Sequence, residues 1–115
     1  MTPARIQLSR RRGFDLQATS EAINGLPGYS VARPGKWGNP FTIADVAKEL
    51  GIGRDAAQAE AVDRHRRWML GELKTDQLPP DRARIRAELA GLNLACWCRA
   101  GTPCHADTLI RLANE

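Results

Sequence analysis

The chain predicts an α/β fold: a small, mainly parallel sheet flanked by helices, a Rossmann-like three-layer sandwich. Three observations point there. Stretches of strand character recur at residues 4–9, 29–33 and 93–98, helical stretches separate the second from the third, and a further helix follows the third. That order suits parallel pairing, because a parallel partner needs a long crossover before it can return to the sheet.

Residues 4–9 alternate Ile6 and Leu8 with polar neighbours, the period of two of a strand, and Arg10-Arg11-Arg12-Gly13 follow at its end. The arginines read either as a basic patch that receives a phosphate, with Arg10 nearest the strand, or as a charged turn. Residues 14–28 read as irregular, with Asn24-Gly25 and Pro27-Gly28 as turn signals. The second strand, 29–33, feeds the stretch Arg33-Pro34-Gly35-Lys36-Trp37-Gly38-Asn39-Pro40. Its glycines and prolines compact a loop that offers Arg33, Lys36, Trp37 and Asn39 to a ligand, or that plugs the core with Trp37.

Thr42 caps a helix predicted over 43–50, which Gly51-Ile52-Gly53 closes. A longer helix, from 55 to about 73, carries Ala61, Val62, Trp68, Met69 and Leu73 on its apolar face, with His65 among them as a core residue. This pair resembles the opening of a helix-turn-helix. Ala57 and Glu60 stand where the second helix should present apolar packing residues, so it reads as an ordinary helix pair. Leu78-Pro79-Pro80-Asp81 breaks the helical run, and residues 81–90 form another helix that ends at Gly91.

The chemistry concentrates in residues 96–105, which hold all three cysteines and one of the two histidines. Residues 93–98 predict a buried interior strand, on which Cys96 and Cys98 share a face. Thr102-Pro103 predicts a helix start, with the helix running over 103–113. Cys104 and His105 then fall in its first turn, where free N–H groups and the positive end of the macrodipole make Cys104 more acidic than a free thiol. Three readings stand side by side. Cys96, Cys98, Cys104 and His105 supply the ligand types zinc prefers. Alternatively, Cys98 or Cys104 is a reactive thiolate, with His105 as base and Asp107 as orienting or acidic group. In the plainest reading the cysteines are small core residues and His105 shares a helix face with Leu109 and Leu112.

With 115 residues, 43% hydrophobic and 26% charged, the composition is that of one globular domain with a modest core. No apolar run approaches the roughly 20 residues of a membrane span. Neither a membrane partner nor a secretory signal is expected. Clustered cysteines argue against a disulfide scaffold and for a reducing compartment, so a cytoplasmic protein is the expectation. A net charge of +4 suits phosphate-bearing ligands or nucleic acid, and equally a solvated surface.

Together these stretches resemble an uncharacterised family of bacterial and phage proteins catalogued as domain of unknown function 4326. The resemblance rests on Arg5-Ile6, Arg33-Pro34 with Lys36-Trp37-Gly38-Asn39-Pro40-Phe41, Ala61-Val62 through Arg66-Arg67-Trp68, Cys96-Trp97-Cys98, and Pro103-Cys104-His105-Ala106-Asp107. The family usually carries an aromatic residue at the position of His65, which implies a core role for that histidine. It also often passes quickly from the glycine-tryptophan loop to the long helix, which marks residues 43–58 as a helical insertion in one domain spanning 1–115. No activity comes with the resemblance.

If all three strands run parallel, the segments that leave their carboxyl ends converge on one edge. The expectation is an enzyme acting on a nucleotide, nucleoside or similar phosphorylated small molecule. Arg10, Arg33, Lys36 and Asn39 would bind the ligand and Trp37 would stack on it. Cys98, Cys104, His105 and Asp107 would carry the chemistry, with or without zinc. The alternative is a zinc-stabilised module that binds nucleic acid or a protein and catalyses nothing.

Overall fold

The last strand in the chain is the middle of the sheet. A computed structural model describes residues 2–115. Its elements are β1 (Arg5–Gln7), α1 (Leu16–Asn24), β2 (Gly28–Ser30), α2 (Ile43–Leu50), α3 (Arg54–Met69), α4 (Arg82–Leu89), β3 (Asn93–Cys96) and α5 (His105–Asn114). The strand order is β1-β3-β2, and both pairings are parallel, with Ile6 opposite Ala95 and Tyr29 opposite Leu94.

All four residues of β3 are buried, as a parallel strand covered on both faces requires. Leu94 and Cys96 join a core with Leu109 and Leu112 of α5 and Ile85 and Leu89 of α4. Asn93, one position out of phase, meets α1 on the opposite face. Its Nδ2 donates to Ser20 Oγ and to Asn24 Oδ1, each at 2.7 Å, and its Oδ1 accepts from the Ala4 N–H at 2.8 Å. Helices therefore cover both sides of a small parallel sheet, the α/β architecture expected.

Caps explain most of the boundaries. The side chains of Asp15, Thr42 and Asp81 accept from the N–H groups of Ala18, Asp45 and Arg84 and start α1, α2 and α4. Gly25, at φ 78°, closes α1 with its N–H on Glu21 O. Residues 14–28 are thus not irregular. Ser20 is the one buried residue of α1, so this helix lacks the apolar stripe that reveals helices in a sequence, and Asn24-Gly25 is its C-cap rather than a free turn. Other bounds move as well, β1 shrinking from 4–9 to Arg5–Gln7 and α5 beginning at His105 instead of 103. Strand β2 sits earlier than 29–33, β3 stops at Cys96, and α3 stops at Met69.

Helices α2 and α3 pack through Val46, Ala57 and Ala61, and Arg64 reaches from α3 to Glu49 of α2 at 2.5 Å. Ala57, small enough to let the helices approach, is one of the buried contacts. Among the described residues, no helix is long and apolar enough to cross a membrane.

Leu109 is fully buried beneath the sheet, so Leu109→Ala should cost about 2–5 kcal/mol in chemical unfolding. Asn93→Leu should cost about 1–3 kcal/mol, since it leaves the Ala4 amide without its acceptor and removes the bonds that Asn93 gives to Ser20 and Asn24. A loss under about 0.5 kcal/mol for Leu109→Ala would contradict its placement.

Candidate functional site

Because the sheet is parallel, the segments that leave β1, β2 and β3 all emerge at one edge, where ligands of such sheets bind. The segment after β3 turns back on itself, and Gly101 supplies the left-handed residue of that turn at φ 82°. Cys104 then arrives as N-cap of α5 beside the strand it left. Its Sγ lies 2.7 Å from Cys96 Sγ, and the sulfurs of Cys96, Cys98 and Cys104 all lie within 4.8 Å of one another.

Two side chains that the sequence did not single out hold this loop. Arg5 donates to Thr102 O at 2.7 Å, to Arg99 O at 3.0 Å and to Asp107 Oδ2 at 2.8 Å. Gln58 of α3 donates to Pro103 O at 2.6 Å and to Thr102 Oγ1 at 3.1 Å. In the sequence Arg5 entered only as one of the stretches that carry the family resemblance, with no role attached to it. Gln58 left no sequence signal, because its partners are a backbone carbonyl and a hydroxyl far along the chain.

The three thiols act on one another more strongly than the helix terminus acts on Cys104. Hydrogen bonds from Cys104 and then Cys96 hold the Cys98 thiol down to about 3. For Cys96, a lowering hydrogen bond to Cys104 is outweighed by the bond to Cys98, burial and the Cys98 charge, which leave it pushed up to about 11. Cys104 is raised, first by its bond to Cys96, then by its bond to Cys98 and by burial. The cluster thus gives up one proton readily, at Cys98, and keeps the others. The expectation of an acidic Cys104 is corrected here. Cys104 is fully buried between two sulfurs, and Thr102-Pro103 precede the helix instead of opening it.

His105 is buried, and burial lowers its pKa, so the ring is neutral near pH 7. Its Nε2 lies 2.8 Å from Val31 O, which can only accept, so the proton sits on Nε2. Nδ1 is then left as an acceptor 3.8 Å from Cys104 Sγ. Of the four ligands expected for a metal, the structure gathers the three sulfurs and leaves His105 beside them. His65, expected as a satisfied core residue, is in the core but unsatisfied. Its Nδ1 has no hydrogen-bond partner among the described residues, and its ring packs edge-on to His105 at 5.3 Å. Burial and then the nearby His105 lower its pKa to about 3.

A cleft of about 370 Å³ opens over the cluster, lined by Cys96, Cys98, Trp97 and His105, by Arg33, Arg54, Arg99 and Gln58, and by Asn39 and Phe41. The loop over 33–40 divides. Arg33 and Asn39 border this cleft, although Asn39 is itself buried, donating to Ala61 O at 3.1 Å and accepting from the Phe41 N–H at 2.8 Å. Lys36 and Trp37 line a different cleft, of about 640 Å³, with His65, Trp68, Pro79 and Arg84. Trp37 is 4% exposed and belongs to the core, and Lys36 is paired with Glu88, so neither lies where stacking on a ligand at the cysteines was expected. Arg10 lies over the indole of Trp97, 4.4 Å from its centroid. Asp107 is exposed and bound to Arg5, not to His105.

Alkylation of metal-free protein tests the thiol order. Because the thiolate is the reactive form and Cys98 ionises well below the assay range, Cys98 should alkylate first, at a rate nearly flat from pH 5 to 8. Cys96 and Cys104 should stay protected until the protein unfolds. A rate that climbs about tenfold per pH unit toward 8.5, as for an ordinary thiol, would contradict this assignment.

Neither a curated protein nor a solved structure matches the chain. The family described as Domain of unknown function (DUF4326) matches residues 10–115, and the chain belongs to it.

Proposed function

We propose that the protein is an enzyme acting on a nucleotide, nucleoside or similar phosphorylated small molecule, and that Cys96, Cys98 and Cys104 hold a zinc ion at the floor of its cleft. One observation carries the reading. Three sulfurs within 4.8 Å of one another open, through Cys98, into a cleft that also presents Arg33, Arg54 and Arg99.

The donor set fits zinc. Bonds of about 2.3 Å in a tetrahedral site put sulfurs about 3.8 Å apart. The separations found here include 2.7 Å for Cys96 and Cys104 and nowhere exceed 4.8 Å, so small side-chain adjustments reach that spacing. Three protein ligands beside an open cleft are the pattern of a catalytic zinc, whereas a structural zinc is closed by four. When bound, such an ion supplies a Lewis acid and lowers the pKa of a bound water. The three arginines draw in and orient an anionic ligand, Asn39 and Phe41 shape the wall, and neutral His105 would accept, at Nδ1, the proton that Cys104 releases when it takes up the ion.

The reading as a zinc-stabilised binding module has less support. The cysteine loop is already held by Arg5 and Gln58, which need no metal, and the polar groups line a concavity rather than a flat face.

Protein purified under reducing conditions should carry about one zinc per chain by elemental analysis, and Cys98→Ser should lose most of it. Arg33→Ala should weaken binding of a nucleoside monophosphate about tenfold or more, the worth of a hydrogen bond to a charged group. Protein that neither contains nor takes up zinc overturns the metal assignment. Failure to bind any phosphate ester overturns the substrate class.

A further inference from the structure

We propose that Trp97, backed by Arg10, is the platform on which the ligand of the cysteine cleft lays a planar aromatic ring, so that the substrate carries a nucleobase. This rests on the proposed function and narrows it, because a sugar phosphate would satisfy the arginines equally well.

The exposure of the tryptophans singles out this residue. Trp37 and Trp68 are 4% and 3% exposed, whereas Trp97 is 45% exposed. An indole left in water forgoes the burial that its area would otherwise gain. A lone exposed tryptophan is common enough on protein surfaces to need no role. Trp97 differs in where it stands. It is the first residue past the carboxyl end of the central strand, between Cys96 and Cys98, and it lines the same cleft as Arg33, Arg54 and Arg99. A ring stacked on it lies within the cleft that Cys98 opens into.

One face of the indole is already engaged. The Arg10 guanidinium sits over it at 4.4 Å, while Arg10 is not among the residues lining the cleft. A cation on one face holds the indole in place and leaves the other for a second π system. Stacking of this kind accepts every base, since each has a π face, so Trp97 selects for the presence of a base more than for its identity.

Isothermal titration of the purified protein with adenosine, guanosine, cytidine and uridine 5′-monophosphates, against ribose 5-phosphate, tests this. The four nucleotides should bind about 5- to 150-fold more tightly than the sugar phosphate, the worth of one base stacked on an aromatic ring. They should also quench the red-edge tryptophan emission that Trp97 contributes. Trp97→Ala should collapse the advantage, and Trp97→Phe should keep most of it, which separates loss of stacking from loss of fold. Equal affinity for nucleotides and ribose 5-phosphate in the wild type would overturn the platform while leaving the proposed function standing. If neither class binds, the proposed function falls and the platform with it.

Discussion

The guanidinium of Arg5 is the contact on which the cysteine site depends. Its side chain is 13% exposed and joins β1 to Arg99, Thr102 and Asp107, so the start of the sheet holds the loop that returns Cys104 to Cys96. Hydrogen bonds to a charged group contribute about 1.5–3 kcal/mol each when sheltered. Without them, the loop would keep the Gln58 contacts and the bonds from Thr102 N–H and Oγ1 to Arg99 O, and would lose its tie to the sheet at β1. The backbone carbonyls of Arg99 and Thr102 are the reason arginine suits this place, since a rigid fork of donors can meet several acceptors at once where a lysine ammonium is a single point.

Within the loop so fixed, the protons are shared. Three thiols in contact cannot all ionise, because each thiolate raises the cost of the next. The thiol facing the cleft is the one held low, by Cys104 first and then Cys96, while beneath it Cys104 donates to Cys96. A divalent cation relieves that conflict by taking the place of the protons, which is why such a cluster suits a metal as well as a nucleophile. The same crowding governs the two histidines. Their rings meet at 5.3 Å in the core, where burial, more than the neighbouring ring, keeps His65 uncharged.

The loop after β2 shows how a compact run of ligand-type residues can be divided by packing. Gly38 lies so close to Arg33 that a Cβ there would meet Arg33 Cγ at 2.5 Å, and in this tight turn Trp37 is buried in the core. Lys36 and Arg84 then flank the Trp37 ring and share Glu88. What reads in sequence as one ligand-binding stretch is, in space, in part a core plug with two cations near its ring. Arg33 and Asn39 remain at the cysteine cleft.

By itself the sequence determined what local chemistry encodes. The α/β class, the cap at Thr42, the interior strand expected over 93–98, of which 93–96 are strand, and the confinement of all three cysteines to residues 96–104 were legible, because the signals for each lie within short stretches of the chain. Helix α1 was not, since its caps do not announce themselves without an apolar stripe. Only the tertiary structure decided that Asp107 belongs to Arg5, that Asn93 binds α1 across the sheet, that Trp37 is buried while Trp97 is exposed, and that the neighbouring sulfurs push Cys98 down and Cys104 up. Each of these turns on contacts between distant segments or on mutual burial, and neither leaves a period or a spacing in the chain.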